Sequence, residues 1–359
     1  METEEQRLLA EAAAGWLRRH YGFDRRAALL AGHDGRATPL WQEFSELGWL
    51  ALPLPERLGG FAADVAPLMQ EFGRALVCEP YVATVLLGAG MLAACGDLRH
   101  DTLAVAAGEG RRQLALAFDD AAVPMTAQHA DAGWRLDGGK TFVLNGDAAD
   151  VLLVTAHGED GLSLFAVPRD AAGLTATGYR CFDGHRAAEI ALRDCRLPAA
   201  ALVGQAGAAL PPLRRTVERA TAGILAEALG AMEAALALTT AHLRTRRQFG
   251  RRLADFQVLR HRLVEMWMAT EEARSMAHYA AEALAWPEAA ARARAIAAAK
   301  QRIAVTGRFV GQQAIQLHGA IGLTAECAAG HYAARLESLA GLFGDADHHL
   351  ALFDQGEAA

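Results

Sequence analysis

The sequence predicts an α+β chain in which a small β domain is set between two helical domains. Three observations carry that expectation: apolar residues recur at helical steps up to about residue 112, at strand steps from Gln113 to about Gly204, and at helical steps again beyond that point. The expected domains are an N-terminal helical domain over 1–112, a central β domain over 113–205 and a C-terminal four-helix bundle over 206–359.

In the first segment Leu8, Leu9, Ala12 and Leu17 open an amphipathic helix, and Leu40, Trp41, Phe44 and Leu47 make a second that stops at Gly48. Leu52-Pro53-Leu54-Pro55-Glu56 cannot continue a helix, because proline lacks the N–H and its ring collides with the preceding turn. Gly59-Gly60 then permits a sharp reversal before a helix from about Val65 to Val77. Glu79-Pro80-Tyr81 starts another helix, rich in small residues, that runs through Leu92.

Period-2 runs follow: Leu114–Phe118, Trp134–Leu136, Lys140–Leu144, Val151–Val154, Leu162–Val167 and Ala188–Leu192, separated by Gly, Asp and Asn clusters. After Gly204, Gly207 and Pro211-Pro212 the helical period returns. Leu213, Val217, Ile224, Ala228, Met232 and Leu236 define one long helix, and Phe256, Leu259, Leu263, Met266, Ala273, Met276 and Ala280 a second. Trp286-Pro287-Glu288 ends this hairpin and puts proline in the first turn of a helix carrying Ile296, Ile303, Val310 and Leu317.

The chain is organised around the joint of that hairpin, Arg246-Arg247-Gln248-Phe249-Gly250, followed by Phe256-Gln257. Its chemistry admits two readings. One is a solvated basic turn. The other is a guanidinium cluster that presents Arg forks to a diphosphate, with Gly250 letting the backbone come close.

Composition narrows the function classes. A formal charge of −7 and the absence of a long Lys/Arg run leave no basic field for nucleic acid or an anionic membrane as main partner. The five cysteines have no C-x-x-C pairing, so neither a disulfide framework nor a thiolate zinc site is indicated. Asp347, His348 and His349 stand without a second ligand cluster, and no metal site is expected. The acidic start Met1-Glu2-Thr3-Glu4-Glu5 is unlike a signal peptide, and the apolar runs read as broken by charge before they could span a bilayer; the expectation is a soluble, cytoplasmic chain.

The order Arg-x-x-Phe-Gly, then Phe-Gln, then a long helix and Gln316-Leu317-His318-Gly319-Ala320-Ile321-Gly322 resembles the C-terminal half of the acyl-CoA dehydrogenase family. Leu47 to Gly60 resembles that family's N-terminal helical domain, and the helical, β, helical order is similar too. The resemblance implies an acyl-CoA dehydrogenase-like fold and an FAD-dependent α,β-desaturation of an acyl-CoA thioester. It assigns Arg246, Gln248, Phe249, Gln257, Gln316, Gly319 and Gly322 to a clasp on the diphosphate and adenosine half of an FAD that belongs mainly to a neighbouring subunit.

Two parts of the family's machinery are altered. The run that normally reads Thr-Glu-Pro-x-x-Gly-Ser-Asp corresponds to Phe118-Asp119-Asp120-Ala121-Ala122-Val123, without its glycine and hydroxyls. The Trp-Ile-Thr-Asn run is Phe142-Val143-Leu144-Asn145, which keeps the aromatic and the Asn as flavin contacts. The α-proton base, a Glu in the family, falls near Phe343 or Gly344, and the alternative position on the first bundle helix falls near Ala220; Asp345 is the substitute base, against a capping role for it at the start of the last helix. The end of the chain, from Ala329 to Leu350, resembles the small subunits of two-chain, pimeloyl-CoA-type enzymes. The resemblance therefore implies a hetero-oligomer with a second acyl-CoA dehydrogenase-like chain, an acyl-CoA substrate and an electron-transfer acceptor. A flavin monooxygenase or oxidase on the same fold, and a subunit without turnover of its own, are the alternatives.

Overall fold

The computed structural model describes residues 3–32, 38–130 and 133–355; Met1 and Glu2 of the acidic start lie outside them. Helices α1 (Glu4–His20), α2 (Phe23–Gly32), α3 (Pro39–Glu46), α4 (Ala66–Ala75), α5 (Gly90–Cys95) and α6 (Asp101–Gly108) precede the strands. Strands β1 (Leu114–Ala117), β2 (Thr126–Ala130), β3 (Gly133–Leu144), β4 (Val151–Gly158), β5 (Gly161–Pro168), β6 (Leu174–Arg180), β7 (Arg186–Pro198) and β8 (Leu202–Val203) come next. Then follow α7 (Leu210–Thr245), the short strands β9 (Arg247–Gln248) and β10 (Arg251–Arg252), and helices α8 (Gln257–Ala283), α9 (Ala289–His318), α10 (Ala328–Gly341) and α11 (Ala346–Gln355).

The helix ends follow capping chemistry. Thr3 and Gln6 satisfy each other's backbone N–H groups in a capping box at α1, with Glu4 and Glu5 in the first turn and Arg18, Arg19 and His20 in the last, matching the helix dipole. Proline is not in the first turn of α9 as the sequence predicts. Glu288 is the N-cap there, its carboxylate accepting the N–H groups of Ala290 and Ala291, and Pro287 lies just before it. The helix expected from Glu79 to Leu92 is a wider π-helical stretch over Val82–Ala89 that continues into α5.

Contacts divide the chain into two compact units. One comprises Met1–Ala28, Val65–Val77 and Thr221–Ala359, and the other Leu29–Asp64 and Cys78–Ala220. In the first, α9 packs against α8, α10 and α11, and α1 packs against α4. The C-terminal part of α7 crosses α4 backbone to backbone. A Cβ on Gly73 would lie 1.9 Å from the Glu227 carbonyl oxygen, and one on Gly230 would lie 1.8 Å from that of Gln70, so both glycines are required by the approach itself. Beside this crossing the Arg335 guanidinium of α10 donates to the Glu227 carboxylate of α7 at 2.7 Å, with both side chains buried. Lys300 of α9, also buried, donates to the carbonyls of Leu339 and Ala340 and so caps the end of α10. Burial pulls its ammonium down to about 8.

In the second unit the sheet runs β6-β7-β3-β2-β4-β5-β8, with β1 paired in parallel to β4. Met125, Trp134, Leu136, Val143, Phe165, Ile190 and Leu192 fill its core, and Trp134 meets Phe165 edge-on. The two runs expected as separate strands, Trp134–Leu136 and Lys140–Leu144, are one strand whose pairing with β7 slips between Leu136 and Gly138 and again between Lys140 and Val143. Strands β2 and β6 are absent from the expected set because most of their residues face water, and β6 brings only Leu174 and Ala176 onto the core. The expectation that no apolar run is long enough for a bilayer is corrected as well: α7 meets that length and composition, but 72% of the window is buried in the protein, as in a core helix.

Candidate cofactor-binding site

The joint after α7 is a β-hairpin rather than an irregular turn. Gln248 pairs with Arg251 and Arg247 with Arg252, so Phe249 and Gly250 form the two-residue turn, with φ of 54° and 78°. Positive φ at both central positions is the type I′ requirement, and it explains why glycine stands at 250. Phe249 at the tip is 87% exposed, and its ring meets Phe256 edge-on at 6.2 Å. The Arg251 guanidinium lies over Phe256, 3.9 Å from its centroid. The hairpin is thereby stiffened while its apolar tip faces solvent.

Arg246 sits between the last turn of α7 and this hairpin. Its N–H donates to His242, its carbonyl accepts from Leu253, and its exposed guanidinium has no carboxylate partner among the described residues. Gln248 and Gln257 are exposed too, the latter opening α8 with its amide 3.5 Å from His261.

At the end of α9, Gln316 is exposed on the last turn, and Gly319 leaves the helix at φ 69°, ψ −148°, a conformation closed to residues with a Cβ. Gly322 is buried, and a Cβ there would lie 2.9 Å from the Ile315 carbonyl. The last two glycines of this motif therefore shape the turn, and Gln316 and Arg246 are left as unpaired polar groups. A forked cation and an amide, both free for hydrogen bonding, suit a diphosphate.

The candidate site residues of the second unit are built differently. Phe142 is held at φ 49° by the slip in β3 and is 42% exposed, while its N–H and the hydroxyls of Thr141 and Tyr179 converge on the Glu189 carboxylate. Asn145, at φ 54°, is buried and its Nδ2 has no partner. A strained aromatic near an orphaned buried donor is the kind of arrangement that serves a ligand.

The loop after β1 is held by internal polar contacts. Its anchor is Lys140, a residue the sequence reading passed over; the fully buried ammonium donates to the Phe118 carbonyl, to Asp120 and to the Thr155 hydroxyl at 2.7–3.0 Å. Asp120 accepts the Met125 N–H as well and lies 3.2 Å from His157. Burial lowers the Lys140 ammonium, whereas for Asp120 the Lys140 and Met125 hydrogen bonds overcome burial and hold the carboxylate below its usual range. Burial raises Asp119. The Ala121 N–H is spent on the Gly139 carbonyl. The loop is thus tied down by its own hydrogen bonds, with the Asp120 carboxylate and the Phe118 carbonyl both turned to Lys140. A lysine at an inward-facing strand position, with two aspartates upstream, was the signal available in the sequence.

Asp345 is exposed and accepts the His348 N–H at the start of α11. That hydrogen bond holds its carboxylate below the ordinary range. His349, buried beside it, is 3.0 Å from the Phe343 carbonyl through Nε2, and burial pushes it down to about 4. At the alternative base position Ala220 is buried, and Glu218 is 3.6 Å from Arg215.

With the geometry in place, comparison with known proteins settles the class. The chain matches the acyl-CoA dehydrogenase N-terminal domain over residues 3–99, the middle domain over 117–195 and the C-terminal domain over 213–353. It belongs to the acyl-CoA dehydrogenase family, FAD-dependent oxidoreductases acting on CH–CH groups. Among its relatives, the acyl-CoA dehydrogenase IpdE2 of Mycobacterium tuberculosis (strain ATCC 25618 / H37Rv) is 29% identical over 90% of this chain and 88% of its own length. A solved structure described as the Tcur3481-Tcur3483 steroid ACAD G363A variant shares 28% identity at a TM-score of 0.88, covering 99% of this chain and 98% of that one. A glutaryl-CoA dehydrogenase from Mycobacterium smegmatis, solved in complex with FADH2, has the same fold at 21% identity and a TM-score of 0.89, over 99% and 95% of the two chains.

Proposed function

We propose that this chain is the clasp-bearing subunit of a two-chain acyl-CoA dehydrogenase. The observation that carries the reading is an asymmetry. Arg246 and Gln316 stand exposed and unpaired on the side of the family motif that grips a neighbour's FAD, whereas the loop from Phe118 to Val123 is tied down by Lys140 and lined with carboxylates. The likeness to Tcur3481-Tcur3483 supports a partner of the same family.

In that assembly Arg246, Gln248, Phe249, Gln257 and Gln316 would hold the diphosphate and adenosine half, with Gly319 and Gly322 shaping the turn after α9. A bound FAD would supply the hydride acceptor for the β carbon of the thioester and pass the electrons on to an electron-transfer acceptor. Phe142 and Asn145 are left as candidate contacts from the β domain. The α proton then goes to a base on the partner chain, and Asp345 serves as the N-cap of α11.

Purifying the chain alone and with its partner, and measuring mass and flavin per chain, tests the reading. The expected result is a flavin-poor product alone and one FAD for every two chains in the mixture. One tightly bound FAD per chain in an active homo-oligomer would overturn it.

Asp345→Asn separates capping from base catalysis, because asparagine caps as well as aspartate but accepts no proton. The reduction of FAD by acyl-CoA, followed by stopped flow, is expected to keep its wild-type rate in the variant assembly. A fall of about 10²- to 10⁴-fold, the contribution of a general base, would return Asp345 to that role.

A further inference from the structure

The clasp is assembled from two helix ends, and two imidazoles hold them together. His242 of α7 and His318 of α9 stack with ring centroids 4.4 Å apart and 29° between their planes. His318 is buried, and its Nδ1 lies 2.8 Å from the Ala314 carbonyl, so that nitrogen carries the proton. His242 is coupled directly to the clasp, because its carbonyl accepts the Arg246 N–H at 2.9 Å. On the other side, Gln316 lies two residues before His318 and Gly319 directly after it.

We propose that His242 and His318 are a proton-controlled positioning pair, whose neutral stack sets the spacing between the Arg246 half and the Gln316 half of the FAD clasp. The inference rests on the assignment of those residues to the diphosphate. A proton on His242 places a cation against a second imidazole and beside the Arg246 guanidinium, and the helix ends move apart. His318 from α9 and Arg246 from the turn after α7 are the charged or titratable groups whose fields act on His242. The carbonyls at the end of α7 favour a cation there, but burial, His318 and Arg246 act against it, and the ring is held below its ordinary value of 6.5.

The sign follows. FAD binding requires neutral His242, so affinity is full above the ordinary imidazole value of about 6.5 and falls as the pH drops through the lowered value of the His242 ring.

The test is the dissociation constant of FAD, read by flavin fluorescence between pH 5 and 8 for the partnered protein and for His242→Phe and His242→Ala. Phenylalanine keeps a ring on His318 and cannot titrate. The expected result is a three- to tenfold weakening of the wild type on acidification, a flat profile for His242→Phe at near wild-type affinity, and weak binding at every pH for His242→Ala. An identical pH profile in the wild type and His242→Phe overturns the proposal. So does affinity that rises on acidification, which would make the rings cationic ligands of the diphosphate. Arg246→Ala, measured in parallel, keeps the two readings apart: unchanged affinity there fails the clasp assignment, whereas a loss there with no effect of His242→Phe fails only the positioning pair.

Discussion

Arg335→Met is expected to lower the free energy of unfolding by about 3–5 kcal/mol, the largest loss foreseen for a single side chain here. Arg335 and Glu227 are buried opposite each other, 6% and 3% exposed, with the guanidinium nitrogen 2.7 Å from the carboxylate. Methionine occupies much of the arginine's volume but leaves Glu227 as an uncompensated charge between α7 and α10. The pair itself is not the source of that much stability, since its desolvation cost offsets most of the attraction. The double variant Glu227→Leu/Arg335→Met is therefore expected to recover most of the loss, and the single variant is expected to suffer less at pH 5 than at pH 8, because a lone buried carboxylate takes up a proton. Urea unfolding at one fixed protein concentration measures both. A single-variant loss below about 1 kcal/mol, or a double variant as unstable as the single, would show that the charge is not what the crossing protects. The helix that carries Glu227 ends at Thr245, directly before Arg246, the residue proposed to grip the diphosphate.

The helical, β, helical order was legible because each segment keeps one period over many residues; the α7 and α8 patterns were read from apolar positions that pack in their unit. What was not legible was structure made by polar or exposed chain. Strands β2 and β6 are mostly exposed and bring few apolar residues to the core, the slips in β3 are set by pairing with β7 rather than by local preference, and the π-helical widening after Tyr81 has no composition of its own. Site residues divide in the same way. Arg246, Gln316 and the hairpin glycine stand in a motif with fixed spacing. Lys140, by contrast, bonds to Asp120 and Thr155, twenty residues before it and fifteen after, and His242 stacks on His318 of another helix. Contacts of that range depend on the fold and leave no local mark. Proline near 287 misled for a related reason: proline fits both the first turn of a helix and the residue before a cap, and Glu288 took the cap.

Arg246→Ala is expected to weaken FAD binding in the partnered protein by about 10- to 150-fold, the equivalent of about 1.5–3 kcal/mol for a charge-assisted hydrogen bond to phosphate. The guanidinium is exposed and free of any carboxylate among the described residues, so the substitution breaks no ion pair there, although it also removes a positive charge that acts on His242. Arg246→Lys keeps the charge but loses the planar fork, and an intermediate loss is expected. The neighbouring Arg247→Ala removes the same charge from β9 without removing the fork at 246; its effect is expected to be smaller and to vanish in 0.5 M salt, where the general field is screened within about 5 Å. Flavin fluorescence titrations at low and high salt distinguish these cases. Equal losses for Arg246→Ala and Arg247→Ala at both salt concentrations would mean that the hairpin acts as a diffuse basic surface, which is the solvated-turn reading of the same five residues. A selective, salt-resistant loss at Arg246 places one fork on the diphosphate, where the exposed Gln316 amide at the end of α9 can complete the grip.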